Sequence, residues 1–327
     1  MTRLAFRLTL WLTICALPCV IGIWFIGQIL PHQNWDVMAY LSERQLYLRD
    51  FIHRLVVPLN SDEKFYTQPN WSSDGNDLAV LAGDGSGDRL KVTIFDIARR
   101  NSRTLTSVSL ENQFYLAPKW SPDGAYLAYS TLVINTRNYY ALYVVKPNHL
   151  DVSTVADTEP QFLVNYNIPS GFWGAEANGA AVTWSKDSHF LILTAAESSL
   201  NVLDPLFYTT SLYEISVEGG DMHAIRDDVQ NIIAPAVSPD GKQITFISNW
   251  DTNILRLYVM NRDGSDLRQL DNIYYETLPA WSRDGLEIGY WLREANQTRF
   301  YTINLSAGAK HRLYEFAESI IFPIWRP

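Results

Sequence analysis

The chain is patterned as short runs in which apolar and polar residues alternate. The most regular set is Ile233–Val237, Gln243–Ser248, Arg256–Asn261 and Leu267–Asp271. A period of two over so few residues predicts half-buried strands rather than helices. Asp240-Gly241 and Asp263-Gly264 punctuate these runs. The Asp side chain bonds the backbone of its own turn and the Gly is free to take positive φ, so each pair predicts a tight hairpin.

The quartet recurs. Its first turn, Val237-Ser238-Pro239-Asp240-Gly241, is matched by Trp71-Ser72-Ser73-Asp74-Gly75, Trp120-Ser121-Pro122-Asp123-Gly124, Trp184-Ser185-Lys186-Asp187-Ser188 and Trp281-Ser282-Arg283-Asp284-Gly285. Trp325-Arg326-Pro327 is a truncated sixth. The spacings of 49, 64, 53, 44 and 44 residues fit the period of a four-stranded propeller blade. A large apolar Trp before each turn predicts burial between one blade and the next. The other repeats read as Gln68–Trp71, Leu78–Ala82, Lys91–Ile97 and Arg103–Thr106; as Leu116–Trp120, Tyr126–Thr131, Tyr139–Lys146 and Gln161–Tyr166; as Ala180–Trp184, Phe190–Ala195, Leu212–Val217 and His223–Arg226; and as Leu278–Trp281, Glu287–Trp291, Phe300–Leu305 and His311–Tyr314.

Ile320–Trp325 is left as a lone first strand, while Trp35–Ser42, Gln45–Asp50 and Ile52–Val56 read as a second, third and fourth. Sharing one blade between the two ends removes the strand edges that an open array would expose. The expected architecture is all-β: a six-bladed β-propeller whose last blade is closed by N- and C-terminal strands, preceded by one N-terminal transmembrane helix. The domains are then 1–31, a signal anchor, and 32–327, the propeller.

Leu8–Leu30 is a run of 23 residues without charge, preceded by Arg3 and Arg7. At about 1.5 Å per residue it can cross a hydrocarbon core of about 30 Å. It runs past the ~7–15 residues of a cleavable signal and lacks a small-x-small site, so an uncleaved anchor is expected. No Lys or Arg follows until Arg44, which keeps the N-terminus cytoplasmic and places the propeller in the periplasm or another extracytoplasmic space, on the cell (inner) membrane. The only cysteines, Cys15 and Cys19, lie in this run, which excludes a disulfide framework elsewhere. A net charge of −9 argues against nucleic acid as a partner.

The repeat, with third strands such as Leu257-Tyr258-Val259-Met260-Asn261-Arg262-Asp263-Gly264-Ser265, resembles the WD40-like repeats of the TolB propeller family. The resemblance covers about 35–327 and implies a propeller of the envelope, here with a membrane anchor and without the α/β domain of TolB. Prolyl-oligopeptidase relatives carry similar propellers joined to a hydrolase domain, which is not expected in this chain.

Connectivity orients the ring. The chain enters the first N-terminal strand after Pro31-His32-Gln33-Asn34, a reach of at most ~14 Å. The face bearing the Trp-Ser-Pro-Asp-Gly turns is therefore expected near the bilayer. On the outward face, loops Asn167–Asn178 and Glu197–Thr209 carry Phe172, Trp173, Leu206, Phe207 and Tyr208. Such aromatics on a rigid scaffold are candidates for partner binding, although they could equally pack on one another. The axial mouth is assigned to residues five before each Trp position, with Tyr66, Tyr115 and Glu276 as candidates, or else as a plug of structural side chains.

None of the six histidines stands in a metal-ligand pattern, and no Gly-x-Ser-x-Gly elbow or Walker loop occurs. No cofactor, metal or catalytic residue is expected, and the chain reads as a non-enzyme: a membrane-anchored scaffold that binds a protein partner in an envelope or membrane complex. The alternative is a small-ligand-binding or enzymatic propeller that uses its axial pocket.

Overall fold

The computed structural model describes residues 36–42, 45–59, 65–83, 91–105, 115–133, 139–147, 161–166, 182–196, 210–219, 221–226, 228–229, 231–250, 254–273, 277–294, 297–316 and 321–326. The anchor expected at Leu8–Leu30 lies outside them, and no helix among the described residues is long and apolar enough to cross a membrane.

The chain opens with β1 (Val37–Ser42), β2 (Gln45–Asp50) and β3 (Leu55–Pro58). Blade 1 is β4 (Phe65–Trp71), β5 (Asp77–Gly83), β6 (Lys91–Asp96) and β7 (Asn101–Thr104), and blade 2 is β8 (Tyr115–Trp120), β9 (Leu127–Val133), β10 (Tyr139–Val145) and β11 (Gln161–Tyr166). Blade 3 is β12 (Val182–Trp184), β13 (Phe190–Ala196), β14 (Thr210–Ser216) and β15 (His223–Arg226). Blade 4 is β16 (Ile233–Val237), β17 (Gln243–Ser248), β18 (Arg256–Asn261) and β19 (Arg268–Asn272). Blade 5 is β20 (Ala280–Trp281), β21 (Glu287–Glu294), β22 (Gln297–Asn304) and β23 (Lys310–Phe316). The last strand, β24 (Ile321–Trp325), pairs antiparallel with β1, giving a sixth sheet in the order β24-β1-β2-β3.

Each of these turns is built on its buried serine. Ser121 Oγ donates to Asp123 Oδ1 at 2.5 Å and accepts the Tyr126 N–H at 2.9 Å, while Asp123 accepts the Ala125 N–H at 3.0 Å. The same three bonds recur around Ser72, Ser185, Ser238 and Ser282. The turn thus forms equally well after Val237, where the other repeats have Trp.

The core lies between blades. Ala79, Leu81 and Ile94 of blade 1 pack with Trp120 and Leu127 of blade 2, and Trp184 of blade 3 packs with Leu142 and Leu163 of blade 2. Met38, Tyr40 and Trp325 pack with Trp291, Phe300 and Phe316 of blade 5. Ala39 and Leu41 pack with Trp71 and Leu78 of blade 1. Successive residues of β1 therefore face opposite neighbours, as strand alternation requires. The seam is also hydrogen-bonded: the Arg326 N–H donates to Val37 O at 2.8 Å, and Arg326 Nε donates to Gly75 O at 2.9 Å.

Several strand boundaries shift by one to three residues, among them β4, β7 and β22, and one shift has a visible cause. The fourth strand of the shared blade was expected at Ile52–Val56 but starts at Leu55. Asp50 accepts the His53 N–H at 2.8 Å and meets its ring nitrogen at 2.7 Å, and Arg54 takes a φ of 54°, so residues 51–54 form a capped turn.

Two tests follow. The Ser hydroxyls hold Asp74, Asp187 and Asp240 below the usual carboxylate range; Asp123 is also lowered, although burial opposes the shift. The unfolded chain takes up these protons first, so their stabilisation is full above pH ~4 and drains as pH falls through the depressed values. Thermal melts should show that loss between pH ~4 and ~2, and Ser238→Ala should cost about 1–2 kcal/mol at pH 7. Gly75 and Gly285 have φ of 68° and 71°. A Cβ at Gly75 would meet Arg326 Nε at 2.6 Å, whereas one at Gly285 has only Pro239 Cδ at 3.6 Å. Gly285→Ala should cost roughly 1–2 kcal/mol for backbone strain alone, and Gly75→Ala about 1 kcal/mol more for the lost seam bond, both read by urea unfolding.

Candidate functional site

The first strands of all six blades converge on one cavity of about 260 Å³. The residue immediately before each Trp position lines it in every blade: Asn70, Lys119, Thr183, Ala236, Ala280 and Ile324. Three adjacent blades supply Asn70, Lys119 and Thr183, and the other three supply small or apolar side chains. The lining also includes Pro122, in a Trp-Ser-Pro-Asp-Gly turn, so the cavity reaches the turn face of the axis.

This ring is fixed by the tryptophans. Trp71 Nε1 donates to Ile324 O at 3.3 Å, Trp184 Nε1 to Lys119 O at 2.8 Å and Trp281 Nε1 to Ala236 O at 3.0 Å. Each indole reaches across a blade boundary to the carbonyl of a ring residue. Asn70 is also committed to structure, because its Oδ1 accepts the Trp120 backbone N–H at 2.9 Å.

Lys119 is the single ionisable group among the cavity-lining residues. It keeps some accessible surface, yet its surroundings are dry enough that desolvation lowers its ammonium from 10.5 to about 8. It remains mostly protonated at neutral pH. Around it the wall is Trp, Pro and Ala, with Asn70 and Thr183 as the nearby polar residues of the ring. Such a site favours an anionic group, which would gain from the cation in a low dielectric.

Of the residues singled out in the sequence, Tyr66 is 2% exposed and packs 5.4 Å from the Phe95 ring, in the core between the shared blade and blade 1. It does not line the cavity. Tyr115 opens β8 opposite Thr131. Glu276, Phe172, Trp173, Leu206, Phe207 and Tyr208 lie outside the described residues. Among the described residues no cluster of His, Cys, Asp or Glu could hold a metal.

The sequence reading missed Lys119, although a signal for it exists. Pro69, Pro118, Pro235, Pro279 and Pro323 all stand two residues before the Trp position. Proline cannot donate to the ladder, and the pairing register shifts around Pro69, Pro118 and Pro235. The residue after the proline lines the axis in these blades, as Thr183 does after Val182 in blade 3, where the register is regular.

No family model matches the chain. A stretch of 82 residues, 25% of the chain, is 30% identical to the uncharacterized peptidase YuxL of Bacillus subtilis, and spans only 12% of that protein. Among solved structures, TolB from Acinetobacter baumannii superposes with a TM-score of 0.67 at 15% identity, covering 89% of this chain and 67% of that one. A puromycin-hydrolyzing peptidase of Mycobacterium tuberculosis gives 0.58 at 16% identity, covering 86% and 43%. An oligogalacturonate lyase of Vibrio parahaemolyticus gives 0.52 at 14% identity, covering 86% and 72%. These comparisons overturn the reading of the chain as a non-enzyme, since peptidase and lyase proteins share its fold and a peptidase shares part of its sequence. Linear motifs do not test a site whose groups come from separate strands. The fold is a TolB-like six-bladed β-propeller.

Between pH 8 and 10.5 the unfolded chain still holds the Lys119 proton that the folded chain has released, so stability rises with pH across that window. Lys119→Met should abolish this rise and add roughly 1–3 kcal/mol of stability at pH 7, measured by urea unfolding across the pH series.

Proposed function

We propose that this chain is a membrane-anchored, extracytoplasmic propeller that holds a partner protein, the partner seating an acidic group in the axial cavity. Lys119 carries the reading: it is a cation kept in an apolar ring where burial works against its charge. A protein tolerates that cost where the charge is used. The cavity, at about 260 Å³, lies below the ~300–1,000 Å³ of sites that enclose a drug-sized ligand. It therefore suits an inserted side chain or chain end rather than a whole molecule. The TolB-like fold supports a binding module, and Leu8–Leu30 with Arg3 and Arg7 before it supports the tether and its orientation. The loops 167–178 and 197–209 belong to this reading as a further partner surface on the opposite face.

A second reading, in which the same cavity turns over a small substrate, is favoured by the same lysine. An amine that holds its proton only to about 8 works as a general base or nucleophile near neutral pH. The peptidase and lyase folds among the comparisons fit this reading.

Tagged full-length wild type and Lys119→Met, captured from membranes in mild detergent, discriminate these. Loss of the ion pair should lower partner recovery about tenfold or more, read by quantitative mass spectrometry. Unchanged recovery would remove the cavity from this role. A small molecule retained by wild type and lost from the variant in native mass spectrometry would favour turnover.

A further inference from the structure

The chain emerges from its apolar N-terminal segment at Asp36, and the corner of the ring beside it is unusually greasy. The Phe51 N–H donates to Asp36 O at 2.8 Å, which fixes the turn of residues 51–54 against this point. Ile52, Leu55 and Val56 are 51%, 55% and 49% exposed. A single exposed aliphatic needs no explanation; here three stand within five residues, with Leu55 and Val56, successive in β3, on opposite sides of the strand. Leu286 of blade 5 is 54% exposed as well. Its turn is tied to the same point, because Arg283 pairs with Asp36 at 3.0 Å and donates to Arg326 O at 3.1 Å.

The charges at this corner differ in balance from the acidic chain. His53 and Arg54 stand exposed among the aliphatics. Of the acids nearby, Asp50 is paired with His53 and Asp36 with Arg283, while Asp284 and Glu287 flank Leu286. An apolar tip with basic residues beside it matches the boundary between headgroups and acyl chains. Distance supports the same partner. From Leu30 to Asp36 an extended chain spans about 20 Å at most, and each headgroup layer is roughly 5–7 Å thick.

We infer that Ile52, Leu55, Val56 and Leu286, with Arg54 and His53, form a membrane-contact corner that rests on anionic lipid and sets the tilt of the propeller. This rests on the reading of Leu8–Leu30 as an anchor. Trp250 and Ile254, 43% and 44% exposed, lie between β17 and β18 at the opposite face and serve as the internal control.

The test uses the full-length chain with Cys15→Ser and Cys19→Ser, carrying a fluorophore at Ile52→Cys, Leu286→Cys or Ile254→Cys. Each is reconstituted in vesicles of phosphatidylcholine with a minority of phosphatidylglycerol. Quenching by brominated lipid should be at least about twofold stronger at 52 and 286 than at 254, with matching protection from aqueous iodide. Equal lipid quenching at all three positions, in chain that survives a carbonate wash, would overturn the corner and leave the anchor standing. Protection from iodide at 52 without lipid quenching would assign the patch to a protein surface and overturn the proposal. Chain that washes off, with 52 unquenched, would remove both the anchor and the corner; chain that washes off yet is quenched at 52 would support the corner by itself.

Discussion

Three of the six blade boundaries are tied by one reach: an indole N–H crossing from one blade to a backbone carbonyl at the axis of the blade before it. Trp71, Trp184 and Trp281 each make this bond, and each ring is packed in the cluster shared with that same preceding blade. A blade alone has two apolar faces and cannot bury either. The tryptophan covers one of them and sets the distance between neighbouring first strands with a directional bond. Non-directional packing could tolerate a range of spacings, whereas a bond aimed at the axis holds the cavity to one radius. The serine-centred turn that follows anchors the backbone carrying the indole.

The seam shows how little else the closure needs. β24 and β1 are separated by nearly the whole chain, yet they pair from Met38↔Trp325 to Leu41↔Ile321, with one register shift between Ala39 and Leu41. Trp71 donates across this boundary as its equivalents do across others. Arg326 replaces the missing turn, bonding Val37 O and Gly75 O. The two ends therefore form a blade in which the covalent a–b turn is substituted by hydrogen bonds, and Asp36 and Arg283 brace it from blade 5.

Much of this was legible because the informative signals are local. Trp-Ser-Pro-Asp-Gly encodes a turn whose bonds close within six residues, so the repeats and strand order follow from spacing alone. The axial site was sought at the wrong offset. Counting five residues back from Trp gave Tyr66, which packs between the shared blade and blade 1 rather than at the axis. The lining position is the one just before each Trp position, preceded by proline in five blades and by Val182 in blade 3. Lys119 stayed hidden for a further reason. Its five counterparts are Asn, Thr, Ala, Ala and Ile, so the position shows no shared chemistry along the chain, and only the closed ring gathers it into one wall.

The position of the cavity and that of the tether constrain each other. The cavity reaches the turn face, and in the proposed arrangement the chain enters from its anchor on that same face. A disc resting flat on its turns would press the mouth near Pro122 into the headgroups and shield Lys119 from any partner in solution. On the proposed corner of Ile52 and Leu55 the disc would stand inclined, with the mouth open into the wedge between propeller and bilayer. A partner reaching that mouth would then need a group close to the membrane surface, so the proposed anchor would select for membrane-associated partners. On this reasoning, an exposed greasy corner on an otherwise acidic ring and a lone cation at its axis are two halves of one arrangement. In this proposal the corner would set the tilt that keeps the cation reachable, and the cation would give that tilt a use.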